Sequence, residues 1–142
     1  MSLLHLLDTD TASYLIKGRT PQVEERLAAI PPSMICISVV TQAELLYGLK
    51  ALPPAHRLHA GVRQFLKIVR ILPWDSAAAE FYADIRHQLV TKGQTLTKGQ
   101  PCGEMDMMIA AHALAASALL VTNNTKHFKR IRAPLALVNW VE

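Results

Sequence analysis

Cysteine, aromatic residues and glycine are all scarce in this chain, and each scarcity removes a class of structure. The two cysteines, Cys36 and Cys102, make neither a metal-binding spacing nor a disulfide framework. Both read as reduced thiols of a cytoplasmic protein. Aromatics form 6% of the chain and glycine supplies six residues, which argues against a sandwich or barrel and for a helix-rich domain. The longest apolar run, residues 107–121, contains His112 and is too short to span a bilayer, so no membrane role is expected. Residues 3–7 have no basic stretch before them and no cleavage site after them, so they are not expected to be a signal peptide.

What is present is a chain of 142 residues, 51% of them hydrophobic, enough to bury the core of one domain. No linker divides it, so residues 1–142 are read as a single domain. Its formal net charge is +4, which points toward an acidic partner such as nucleic acid.

The opening Leu-Leu-His-Leu-Leu reads as a buried strand that stops at Asp8-Thr9-Asp10-Thr11. From Ala12 the pattern is helical, ending at Gly18, a good terminator. Pro21 opens a second helix, closed by Pro31-Pro32. A second strand is expected over residues 34–40, with Thr41 starting a helix. After Pro53-Pro54 comes a helix over residues 55–69, a strand over 68–72, and a helix capped by Asp75. Residues 91–103 form a polar loop in which Thr91-Lys92-Gly93-Gln94 recurs as Thr97-Lys98-Gly99-Gln100; such a duplication lengthens a loop without altering a fold. A helix follows from Glu104, then strands over 118–122 and 135–138 with a short basic helical turn between them. Apolar strands separated by helices imply a mainly parallel sheet covered on both faces. Right-handed crossovers place the strand ends along one rim, where open α/β sheets bind ligands.

Each acid near that rim has a structural explanation when taken alone. Asp8 and Asp10 can cap the first helix, Thr41 and Glu44 have the spacing of a capping box, and Glu104 and Asp106 sit where a helix dipole favours negative charge. Capping does not explain why Asp8, Glu44 and Asp106 should share a location. Carboxylates so gathered raise one another's pKa, and a divalent cation relieves this; oxygen ligands suit Mg²⁺ or Mn²⁺. The apolar residues after Asp106 should anchor its helix, and His112 reads as a packed, hydrogen-bonded histidine. Thr122, Asn123 and Asn124 are either turn residues or groups that hold water or a phosphate oxygen. Lys92, Lys98, Lys126, Lys129, Arg130 and Arg132 are either a solvated face or a grip on a polyanion's backbone.

LLDTDTASYLIKG, ISVVTQAELLYGL, a Gly-x-x-Asp-x-x-Ile-Ala-Ala-His-Ala segment and LVTNNTKHF, ending in LVNW, together resemble the PIN-domain ribonucleases, and more narrowly the VapC toxins of bacterial toxin–antitoxin modules. The resemblance implies a three-layer α/β/α fold and metal-dependent endonuclease action on structured RNA, typically tRNA or rRNA. It also implies a homodimer and inhibition by a cognate VapB-type antitoxin. Asp8, Glu44 and Asp106 match the family's metal-binding acids. Where relatives often carry a further acid, this chain has Asn124 and His127, and the TKGQ duplication lengthens the loop before Asp106. Surfaces of the first helices around Tyr14 and Ile16 are candidates for the dimer contact.

Two other readings compete. The Asp8-Thr9-Asp10-Thr11 opening looks like the haloacid-dehalogenase phosphohydrolases, in which the first aspartate is a nucleophile; that reading leaves Glu44 idle. A non-catalytic interaction module, with acids that only cap helices, is the third.

Overall fold

The computed structural model describes residues 3–91, 103–131 and 134–141. Among the described residues, twelve α-helices and β-strands follow in order, with one 3₁₀ turn (Pro32–Met34) before β2: β1 (His5–Leu7), α1 (Thr9–Lys17), α2 (Pro21–Ala28), β2 (Ile35–Ser38), α3 (Val39–Lys50), α4 (Arg57–Ile68), β3 (Arg70–Leu72), α5 (Ser76–Thr91), α6 (Glu104–Ala115), β4 (Leu119–Val121), α7 (Thr125–Phe128) and β5 (Leu137–Val138). The repeat of residues 91–103 falls mostly outside the described residues. Cys102, Lys92, Lys98 and Arg132 lie outside them as well.

The strands form one parallel sheet in the order β3-β2-β1-β4-β5. Alternation along each strand sends neighbours to opposite faces. Leu6, Cys36 and Leu120 enter one core with Ile85, Met107 and Ile109. Leu7, Ile37 and Val121 enter the other with Val23, Val62 and Phe65. Burial on both faces is why the strands read as continuous apolar runs rather than alternating ones. The Cys36 thiol is fully buried, and desolvation pushes its pKa up to about 11, which makes it unreactive.

Chain direction reverses its march across the sheet at β1: β2 and β3 lie to one side, β4 and β5 to the other. Such a switch point opens a crevice at the carboxyl ends of the strands. Register aligns Leu7 with both Ile37 and Val121, so Asp8, Ser38 and Thr122 emerge side by side along that rim.

Three expectations need correction. Helix α3 begins at Val39, two residues before Thr41, because the buried Ser38 hydroxyl accepts from the Val40 amide at 3.0 Å and acts as its cap. Thr41 and Glu44 therefore form no capping box; they lie inside the helix with their side chains free for other partners. Tyr14 and Ile16 are half-buried rather than exposed, and pack against the second core. Helix α1 likewise starts earlier than its apolar pattern, at Thr9, since the polar residues of its first turn carry no hydrophobic signal.

Candidate active site

Asp8 leaves β1 and caps α1 in one step. Its amide donates to the Val121 carbonyl at 3.0 Å, extending the sheet, while its Oδ1 accepts from the Thr11 amide at 2.8 Å. The residue is 3% exposed. Burial raises its pKa, and hydrogen bonds from Thr122 and Thr11 oppose that rise without cancelling it. The capping reading is thus correct, and it coexists with a second property: a buried carboxylate at the switch point of the sheet.

Asp106 lies in the first turn of α6, after the cap residue Gly103, whose amide donates to its carboxylate. Met107, Ile109 and Ala110 are fully buried or nearly so, which seats the helix and aims Asp106 at the rim. Its pKa is raised to about 6, first by burial and then by the negative charges of Asp8, Glu44 and Asp10. Four acids from α1, α3, α6 and the end of β1 therefore share one electrostatic neighbourhood. Glu104, in the same turn, points outward instead and pairs with Arg86 at 3.7 Å.

Glu44 is held from α1. Thr9 Oγ1 donates to Glu44 Oε1 at 2.5 Å and lies 3.1 Å from Thr41 Oγ1. With its own proton committed to the carboxylate, the Thr9 oxygen accepts from Thr41. On the β4 side, Thr122 is fully buried and its Oγ1 accepts from the Asn124 amide at 2.9 Å. Asn124 Nδ2 donates to Asp10 Oδ2 at 3.0 Å. Of the two residues offered for the missing fourth acid, Asn124 is the one bonded to the carboxylate group; His127 lies within α7. Asn123 shows the turn-residue alternative. Its side chain donates to the Tyr14 hydroxyl at 3.3 Å and accepts from Asn139 at 3.3 Å, so it braces the turn.

Sequence reasoning undervalued Asp10 and missed Thr9. The signal was available: a cap at Asp8 puts both into the first helical turn, one beside β4 and the other beside α3. His112 is as expected, 3% exposed with Nδ1 2.7 Å from Ser38 Oγ. Desolvation lowers its pKa, opposed by the charge of Asp75 and by a hydrogen bond to the Pro73 backbone. Lys126, Lys129 and Arg130 are exposed along α7 and just after it.

Among the described residues, no three His, Cys, Asp or Glu side chains close into a ready-made ion cage. The donor set nonetheless suits a hard divalent cation: carboxylate oxygens that repel one another, one of them deeply buried and two carrying raised pKa values. Among the same residues, no helix is long and apolar enough to cross a membrane.

Comparison with known proteins agrees with this geometry. The family model described as PIN domain matches residues 5–134. A protein of Salmonella typhimurium called tRNA(fMet)-specific endonuclease VapC is 38% identical, covering 91% of this chain and 92% of its own. A Shigella flexneri protein of the same name is 35% identical over the same shares. Among solved structures, DNA-bound VapBC from Salmonella typhimurium aligns with a TM-score of 0.84 at 34% identity, covering 97% of this chain and 98% of that one. VapBC2 from Rickettsia felis, bound to a promoter DNA fragment, aligns with a TM-score of 0.81 at 30% identity, covering 97% and 99%. A parallel sheet with acids gathered at its switch point, matched over nearly its whole length by such relatives, places this chain in the PIN-domain family, among the VapC proteins.

Proposed function

We propose that the protein is the toxin of a type II toxin–antitoxin module, an endoribonuclease that hydrolyses phosphodiester bonds in structured RNA with Mg²⁺ or Mn²⁺. The observation that carries this reading is the carboxylate group around Asp106, whose pKa is pushed up to about 6 first by burial and then by the charges of Asp8, Glu44 and Asp10. Acids kept so close while partly desolvated oppose folding unless a cation joins them. Asp8 and Asp106 are the principal ligands, and Glu44, steadied by Thr9, binds directly or through water. When bound, such a cation lowers the pKa of water and neutralises charge on the phosphoryl oxygens.

The remaining roles fall to the chain's own residues. Thr122, buried and hydrogen-bonded to Asp8, and Asn124, hydrogen-bonded to Asp10, orient the carboxylates, and Asn124 leaves a polar edge for water or a phosphate oxygen. Water attacks phosphorus in line, the bond to the 3′ oxygen breaks, and the products carry 5′-phosphate and 3′-hydroxyl ends. Lys126, Lys129 and Arg130 hold the backbone of the RNA; Lys92 and Lys98, which precede Asp106 in the sequence, extend that grip. The whole chain serves as one PIN domain, forms a homodimer and works in the cytoplasm, with a VapB-type antitoxin as its inhibitor. The VapBC complexes it resembles support that partner, and the relatives named for tRNA(fMet) favour tRNA as the substrate. The haloacid-dehalogenase reading gains no support: it leaves Glu44 idle, whereas Glu44 belongs to the acid group.

The test is induction in bacteria with mapping of new 5′-phosphate RNA ends. Wild-type protein should generate ends at defined positions in tRNA, and Asp8→Asn or Asp106→Asn should generate none. Wild-type cutting by either variant would remove the site assignment.

A further inference from the structure

Gly48 lies inside α3, three residues before the cap Ala51, and no feature of the folded chain accounts for it. Glycine is the poorest helix former after proline, so a helical glycine normally marks a close approach or an unusual backbone angle. Gly18 has such an angle, with φ of +64°, and Gly61 has such a neighbour, since a Cβ there would meet Ile16 Cγ2 at 3.3 Å. Gly103 is a helix cap, a position that glycine suits. At Gly48 the backbone angle is not positive, and a Cβ would meet nothing within 4 Å. The open space is a groove of about 210 Å³ between α1, α3 and α4, whose lining includes Thr9, Ser13, Lys17, Glu44, Gly48 and Val62.

The groove is continuous with the acid group, since Thr9 and Glu44 belong to both. Its lining is polar along α1, where Thr9, Ser13 and Lys17 recur at four-residue spacing, and mostly apolar along α3 and α4; Lys17 lies two turns of α1 beyond Thr9. That pattern matches a flat ring with apolar faces and hydrogen-bonding edges, followed by an anionic linker. We propose that the groove is a nucleoside subsite of the substrate RNA. The base next to the scissile phosphate rests against Gly48, its edge meets the Ser13 hydroxyl, and Lys17 faces the next phosphate along. The subsite rests on the nuclease reading above, and it makes Gly48 a specificity-determining position.

Side-chain size at position 48, varied as Gly48→Ala and Gly48→Leu, tests this, because a Cβ at Gly48 meets nothing within 4 Å and a longer side chain extends into the groove. For cleavage of tRNA, KM should rise in the order Gly, Ala, Leu, reaching roughly tenfold or more for Leu, with kcat changed less than about threefold. The Mn²⁺-dependent rise in Tm should persist in both variants, showing that the acid group is intact. In wild-type protein with EDTA, the Gly48 amide resonance should shift on adding a short RNA fragment, a measurement that stands even if Gly48→Leu fails to fold. An unchanged KM in Gly48→Leu overturns the subsite, as does an amide that ignores RNA. Normal cutting by Gly48→Leu together with lost binding of a protein partner also overturns it, assigning the groove to that partner. If wild-type protein cuts no RNA, the nuclease reading fails, and the amide titration still decides whether a nucleoside binds here.

Discussion

Replacing Asp106 by Asn should stabilise the metal-free protein while abolishing its chemistry. The folded-state pKa of Asp106, about 6, lies above the ordinary value of 3.8. The native state therefore holds this proton more tightly than the unfolded chain does. Stability associated with the group is fully present below pH 3.8 and is lost as pH rises through about 6. A rise of about two units corresponds to roughly 3 kcal/mol, and partial exposure of the carboxylate reduces this to about 2 kcal/mol. Asparagine keeps an acceptor for the Gly103 amide and removes the charge. In EDTA at pH 7.5, Asp106→Asn should unfold about 6 °C above wild type, taking about 3 °C per kcal/mol for a domain of this size. The difference should shrink toward zero near pH 4. Adding Mn²⁺ should raise the wild-type Tm and leave the variant nearly unmoved, because the repulsion that opposed folding is also what recruits the ion. Thermal unfolding followed by circular dichroism across pH, with and without metal, measures all of this. A variant no more stable than wild type in EDTA at pH 7.5, or an advantage that persists unchanged at pH 4, would refute the reasoning.

Comparing Asp8→Asn with Asp8→Ala isolates the cap, since both remove the buried charge and only Asn retains a good N-cap. The Ala variant should be less stable in EDTA by about 1 kcal/mol, or about 3 °C in Tm; equal Tm values would show that the bond to the Thr11 amide contributes nothing. His112→Ala leaves the Ser38 hydroxyl and a cavity unfilled in the core, and should lower stability by roughly 2–4 kcal/mol in urea unfolding. A loss below about 0.5 kcal/mol would mean that this histidine is not the tie between α6 and the start of α3. Asn124→Asp places a carboxylate against Asp10, now 3.0 Å from the Asn124 amide nitrogen. Its Tm in EDTA should fall at pH 7.5, recover at pH 5 and recover with Mn²⁺; an unchanged Tm at pH 7.5 would place the two side chains apart in solution.

Local chemistry made much of this protein legible before its structure. Apolar runs marked the strands, most clearly the central β1, β2 and β4, because burial on both faces of a parallel sheet leaves no alternation to dilute the signal. Gly18, Pro21 and Asp75 set helix ends by rules that operate within a few residues, and all three do so in the fold. Asp8, Glu44 and Asp106 were recognisable as one group through the order of their motifs, although 36 and then 62 positions separate them along the chain. What sequence did not settle was which hydrogen bond each polar side chain would choose. Thr41 and Glu44 have the spacing of a cap, yet strand register ends β2 at Ser38 and gives that serine the task, leaving Thr41 and Glu44 to meet Thr9. Asn123 and Asn124 are identical in composition and adjacent in the chain, yet the turn after β4 sends one to Tyr14 and the other to Asp10. Element type and the identity of the acids depend on near neighbours and on residue chemistry, so they are written locally. The electrostatic company of Asp106 and the empty space beside Gly48 depend on where α1, α3 and α6 come to rest, which only the packed chain decides.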